Sequence, residues 1–197
     1  MSEELKSIEE VREMLDCTQQ GNVKQSAGNY RTVLLHEPNL KGAFRLNMFT
    51  DKIDITKDLG WYRESDNLTD VDLKFLVLHF EKHFGLANEK RIDDAIKVVA
   101  NENRYHPVQD QLNALQWDRV ERVQFALRHF FGAEVNNYTY EALKLFMLGA
   151  IARVFHPGIK FEVMLCLVGG QGAGKSTFLR FLAIFISFHT FGYSFIS

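Results

Sequence analysis

The sequence predicts a mainly α N-terminal region up to about residue 160, followed by the first strand, glycine-rich loop and helix of an α/β domain. Three observations carry this. Apolar residues recur at helical spacing along most of the chain as far as Val154. At Phe161 the period changes to a short, nearly continuous apolar run, FEVMLCLV. Directly after it stands GGQGAGKST, and another apolar stretch follows.

The elements follow in order. Met1 to Asp16 places Leu5, Ile8, Val11, Met14 and Leu15 at helical spacing. It is acidic, not basic and then apolar as a secretory leader would be. Gln19 to Asn29 is polar and contains Gly21 and Gly28, so residues 1–29 are expected to form a flexible or helical appendage. Residues 30–103 read as a small α(+β) region. Its first half holds short apolar pieces, Val33 to Leu35, Ala43 to Leu46 and Ile53 to Ile55, separated by Pro38, Gly42 and Gly60, which suit small strands and a turn. In 70–84, Leu73, Leu76, Val77, Phe80 and Phe84 share one helical face. Thr69 with Asp72 has the spacing of a capping pair, because a carboxylate three residues on reaches back to a free backbone N–H. Gly85 is a suitable stop. Ile92, Ala95, Ile96 and Val99 mark the inner stripe of the next helix.

Residues 104–160 read as a helical module preceding the loop. One or two helices are expected over 110–131, and a strong one over 139–155 with Leu143, Phe146, Met147, Ala150, Ile151 and Val154 inward, ended by Pro157-Gly158. Trp117-Asp118 reads as a core anchor followed by a cap or turn. Residues 161–182 open the second domain. The length of FEVMLCLV, its valines and the glycines after it favour a strand buried on both faces, with Cys166 buried and inert. Residues 183–197 form a hydrophobic tail of different composition: six of the chain's 17 Phe lie in the last twenty residues, at 178, 181, 185, 188, 191 and 195, and no charged residue follows Arg180.

Composition narrows the function. Of 197 residues, 46% are hydrophobic and 24% charged, which excludes a disordered or low-complexity chain. A net charge of −2 excludes a wholly basic nucleic-acid-coating protein but allows a basic face. From Arg104 to Arg180 there are nine Lys/Arg and six Asp/Glu, whereas the first thirty residues carry six acidic and three basic groups. Cys17 and Cys166 make no disulfide framework and fit a reducing cytoplasm. His106, His129 and His156 are too scattered for a metal site, and Asp93-Asp94 reads as a solvated helix face.

The chemistry sits in Gly169, Gly170, Gln171, Gly172, Ala173, Gly174, Lys175 and Ser176, which match G-x-x-x-x-G-K-[ST], the P-loop of nucleotide-binding α/β domains. Glycines allow backbone conformations that a Cβ forbids. Successive N–H groups then turn inward as a nest for phosphate oxygens, and the following helix aims its positive end at the same spot. Lys175 is expected at the β- and γ-phosphates, Ser176 on Mg²⁺, and Thr177 beside Ser176 or at the α-phosphate. ATP and Mg²⁺ are the expected ligands. Hydrolysis needs more: a second acidic element for the metal and the water, and a charge-neutralising group, often an arginine. None of the residues after Ser176 is acidic.

The runs YHPVQDQLNALQWD (Tyr105–Asp118), FFGAEVNNY and LGAIARVFHPGIKFEVMLCLVGGQGAGKSTFLRFLA resemble the virulence-associated protein E family, helicase-like P-loop ATPases of phages, prophages and mobile genomic islands. AFRLNMFTDKI and the helices over 70–100 are similar to the region before the ATPase in that family, so the resemblance covers about 29–183. It implies a helicase or primase-helicase part in replication of the mobile element. DNA and replication proteins would be its partners, with homo-oligomers among intact relatives. Gly169, Gly174, Lys175 and Ser176 carry over as the phosphate and Mg²⁺ site. Family members continue through further strands with acidic, sensor and arginine motifs. This sequence departs near Ala183, as a frameshift or truncation would make it.

The expectation is therefore an N-terminal fragment of a helicase-like ATPase that holds nucleotide without turnover. The alternatives are a DNA- or partner-binding module with a vestigial loop, and a tail-anchored protein using the uncharged stretch 181–197.

Overall fold

The computed structural model describes residues 7–188, with the backbone alone for Phe181 and 183–188. The chain divides into two compact units, one ending at His106 and one beginning at Pro107.

The first unit contains helices α1 (Ile8–Glu13), α2 (Ala27–His36), α3 (Asp70–Phe84) and α4 (Glu89–Glu102), with a hairpin of β1 (Phe44–Asn47) and β2 (Lys52–Ile55). The strands run antiparallel, with Phe44 opposite Ile55 and Asn47 opposite Lys52. Each helix start has a side-chain cap. Ser26 and Asn88 accept N–H bonds at the starts of α2 and α4. Ser7 with Glu10, and Thr69 with Asp72, close reciprocal capping boxes that satisfy backbone donors the helix leaves free. The capping pair and the Gly85 stop expected for α3 are both present, with Gly85 left-handed at φ 66°. Leu76, Phe80 and Phe84 of α3 meet Ile92, Ala95, Ile96 and Val99 of α4 in one core with Tyr30, Val33, Leu34, Leu40 and Phe44. Among the apolar pieces expected to suit small strands, Val33 to Leu35 is helical and the other two form the hairpin.

The reading of residues 1–29 as an appendage is corrected for the part described. Val11 and Leu15 are buried in this core. Asn29 fastens the connecting loop: its Oδ1 accepts Asp16 N–H at 2.9 Å, and its Nδ2 donates to the carbonyls of Asp16 and Lys24, both at 2.9 Å. A polar segment looked solvated by composition, yet one buried amide supplies the partners its backbone needs.

The second unit holds α5 (Pro107–Ala114), α6 (Val123–Phe131), α7 (Asn137–Phe155) and α8 (Lys175–Phe188). Gly132, at φ 66°, ends α6, and Asn136 caps α7. Gln109 Nε2 donates to Val154 O at 2.7 Å, joining α5 to α7. The core of this unit is small: Leu127, Leu143 and Phe178 are buried, with Phe131, Phe146, Met147, Leu165 and Leu167 against them. Ala150 and Ile151, expected inward on α7, are exposed.

Three further expectations are corrected here. Phe161 to Val168 forms no strand among the described residues; it is an extended segment, with Leu165 and Leu167 toward the helices and Val163, Met164 and Val168 exposed. A strand exists only as part of a ladder, and no second strand lies beside this one among the described residues. Cys166 is accordingly exposed, not buried. Trp117 is 74% exposed and anchors no core. Asp118 does make the expected turn, accepting Val120 N–H at 3.0 Å and pairing with Arg122. The hydrogen bonds from Arg122 and the Val120 backbone hold its carboxyl down to about 2. Helix α8 continues through 183–188, and residues 189–197 of the expected tail lie outside the described residues. Among the described residues no helix is long and apolar enough to cross a membrane.

Candidate functional site

The loop between the extended segment and α8 is built from both of its ends. At the N-terminal end Phe161 is the anchor. Its ring lies so close to Gly149 of α7 that a Cβ there would sit 2.3 Å from the ring. Arg153, one turn further along α7, places its guanidinium 5.9 Å from the centre of the same ring and donates to Phe161 O at 3.2 Å. At the C-terminal end Phe178, one turn into α8, is buried with its ring centre 5.0 Å from that of Phe131 and 5.2 Å from that of Phe130. Aromatic pairs at these separations add to the burial itself. The loop is thereby held against α7 at one end and α6 at the other.

Between the anchors the backbone does what glycine permits. Gly172 has φ 83° and Gly174 has φ 75°, left-handed conformations that a side chain would strain. A Cβ added at Gly170, Gly172 or Gly174 would meet nothing within 4 Å, so the inner surface of the loop is open. Gly174 O accepts the first helical bond, from Phe178 N–H at 2.9 Å. The N–H groups of Lys175, Ser176 and Thr177 make no backbone hydrogen bond among the described residues, as is usual for the first turn of a helix. Lys175 Nζ donates to Gly169 O and Gly170 O, each at 2.8 Å, so the ammonium is folded back over the loop. Ser176 and Thr177 are exposed at the start of α8. Gln171 and Ala173 complete the loop, both exposed. This arrangement suits an anion with several oxygens: a helix N-terminus with three N–H donors follows an open glycine loop, and Lys175 lies alongside.

A groove of about 940 Å³ runs from the loop along the extended segment. Leu127, Phe131, Leu145 and residues 163–168 form its apolar wall, and Tyr138, Glu141 and Lys175 its polar side. Glu141 is paired with Lys144 at 3.1 Å. Among the described residues no group of three His, Cys, Asp or Glu side chains could hold a metal ion.

Sequence reasoning located the loop but missed what positions it. Gly149 inside an apolar helix was the available signal, since such a glycine commonly marks a close approach. Phe178 was visible only as one of many phenylalanines.

The geometry is that of a glycine-rich loop leading into a helix, on an arm braced by α6 and α7. Residues 112–191 match the model of the virulence-associated protein E-like domain, so the resemblance is borne out over that stretch. The match begins within α5 and runs past Ala183, where the sequence reading places a departure, to residue 191. Residues 29–111, which that reading also included, lie outside the match. No curated protein matches the chain.

Proposed function

We propose that the loop Gly169–Thr177 binds the triphosphate of ATP with Mg²⁺, and that the chain is the nucleotide-binding part of a helicase-like ATPase serving replication of a phage or other mobile element. The observation that carries this is the loop itself: left-handed Gly172 and Gly174 leading into a helix whose first three N–H groups are unclaimed, with Lys175 alongside. Lys175 would exchange its two carbonyl partners for phosphate oxygens, and Ser176 Oγ would ligate the magnesium. The metal would neutralise phosphate charge when bound.

Turnover is expected to be weak or absent. Glu141 is the one carboxylate lining the groove beside Lys175 among the described residues, and it is engaged by Lys144. Binding of a fluorescent ATP analogue to the full chain in Mg²⁺ tests the proposal. Lys175→Ala is expected to weaken it about 10- to 100-fold, the loss of a charge-assisted hydrogen-bonding group. Equal affinity in wild type and Lys175→Ala would refute it.

A second reading has its own observation. The first unit closes a complete core without any residue of the loop, as a separate binding module would. A salt-dependent DNA shift that survives Lys175→Ala would favour a DNA-binding module with a vestigial loop.

A further inference from the structure

We propose that His79 and Glu37 form a proton-sensitive joint between α3 and the turn that joins α2 to β1, closed while His79 is neutral and loosened when it takes up a proton. The inference lies within the first unit and is independent of the nucleotide reading.

Glu37 builds the turn. It ends α2, its N–H donating to Val33 O at 2.9 Å. Its carboxylate accepts Leu40 N–H at 2.7 Å and Asn39 Nδ2 at 3.1 Å, and its carbonyl accepts Lys41 N–H at 2.8 Å. Leu40 and Ala43 are thereby delivered to the core. The Glu37 side chain is itself fully buried. Buried carboxylates are ordinarily paired with a cation as well as hydrogen-bonded. The group that faces this one from α3 is the imidazole of His79, with Nε2 3.9 Å from Glu37 Oε1. That separation is too long for a hydrogen bond. Nε2 is buried and has no hydrogen-bond partner among the described residues. The same ring packs against Phe80, His83 and Phe84. The joint is thus a buried acid and a buried base that touch neither each other nor water.

A proton disturbs this arrangement. The charged and titratable groups that act on His79 are Glu37, from the end of α2, and His83 and Lys82, on α3 itself. Burial pushes the imidazole below its ordinary 6.5; Glu37 pulls it up, but burial with His83 and Lys82 outweighs that pull. The neutral ring therefore belongs to the closed joint, and a form in which His79 turns out to water holds the proton more tightly. The way out is short, because the side chain is already 21% exposed. The contribution of the closed joint is complete above 6.5 and is lost as pH falls from there toward the lower folded value.

The test uses the full chain, from about pH 8 down to about pH 5.5, across the range in which histidine changes charge. Histidine side-chain NMR follows His79, and amide exchange, corrected for its intrinsic rate, follows Leu40 and the second half of α3. His79 is expected to titrate below 6.5, and opening at the Leu40 amide to rise below that pH by up to about tenfold per unit, the limit for one proton. His79→Leu is expected to abolish the pH response, and His83→Gln to keep it. Glu37→Gln is expected to lower the His79 titration further, a shift that packing alone would not produce. Should that variant fail to fold, the wild-type titration and His79→Leu decide. A His79 that titrates at or above 6.5, Leu40 exchange that does not change between the two pH limits, or an equal response in His79→Leu would each overturn the proposal.

Discussion

Gly149→Ala sets two effects of opposite sign against each other at the point where the loop's arm leaves α7. In an ordinary helix the change stabilises by about 1 kcal/mol, because alanine has less backbone freedom to lose. Here the new methyl would lie 2.3 to 2.5 Å from three atoms of the Phe161 ring. Carbon atoms rest at about 3.5–4.0 Å, so the ring must retreat by more than about 1 Å. It cannot simply turn away, because Arg153 holds both the ring face and the Phe161 carbonyl. Forced repacking of this kind costs about 1–3 kcal/mol. The sum is a change between neutral and about 2 kcal/mol destabilising, confined to the second unit. In the background of Phe161→Ala the obstruction is gone, and Gly149→Ala should stabilise by its helix preference alone. The difference between the two backgrounds, about 1–3 kcal/mol, is the cost of the contact.

The assay is amide exchange across α7 and the first turns of α8, with the α4 amides of the first unit as internal reference. Fluorescent-nucleotide affinity is measured in parallel, since displacing Phe161 shifts the start of the arm that carries Gly169. If Gly149→Ala raises protection by the same amount with and without Phe161, the two residues are not coupled and the account of how the loop is positioned fails.

Two other outcomes follow from the same structure. Phe178→Ala empties the contact with Phe130 and Phe131 and should cost about 2–4 kcal/mol, somewhat below the usual range for a deep core because Phe130 is itself exposed. α8 should lose exchange protection while α4 keeps it, and equal loss in both would refute the anchor. Asp72→Asn attacks the hub of the first unit, where the carboxylate accepts from Trp61 Nε1 at 2.8 Å, Arg63 Nε at 3.1 Å and Thr69 N at 2.8 Å. Leaving Arg63 without its partner should cost about 2–4 kcal/mol, read by Trp61 fluorescence during urea unfolding. Burial pushes the Asp72 carboxyl up, but the bonds from Trp61 and Thr69 and the charge of Arg63 outweigh it and hold it below its ordinary 3.8. Its contribution is therefore complete above 3.8 and lost as pH falls through the lower folded value, an acid limb that Asp72→Asn should lack.

Where sequence and structure agree, the determinants are local. Thr69, Asp72 and Gly85 bound α3 through local contacts, a capping box at one end and a left-handed glycine at the other. Helical stripes on α3 and α4 were legible because each helix has a single buried face. The disagreements come from distance. Val11 and Leu15 enter the core because Asn29, a polar residue, ties their loop down. A side chain that satisfies three backbone groups looks in sequence like any other loop asparagine. Trp117 is large and aromatic, which commonly means buried, yet no element of the second unit reaches it. The segment 161–168 has the composition of an interior strand, but a strand is a relation between two segments, and composition describes only one.

The two units also differ in how strongly they are held, and this bears on the loop. Eighteen buried hydrophobic residues form the first core, against three in the second among the described residues. The glycine-rich loop therefore belongs to the less firmly packed part, positioned by Phe161 and Phe178 and, among the described residues, not by a surrounding sheet. Anything that binds only the ordered form of that loop stabilises it in proportion to the logarithm of one plus its concentration over its Kd. A weakly held site gains the most in order from the same binding energy, because its unbound state populates more open forms. Nucleotide binding should thus appear first as increased protection in 161–182 and α7, with the first unit unchanged. Uniform protection across both units would refute this.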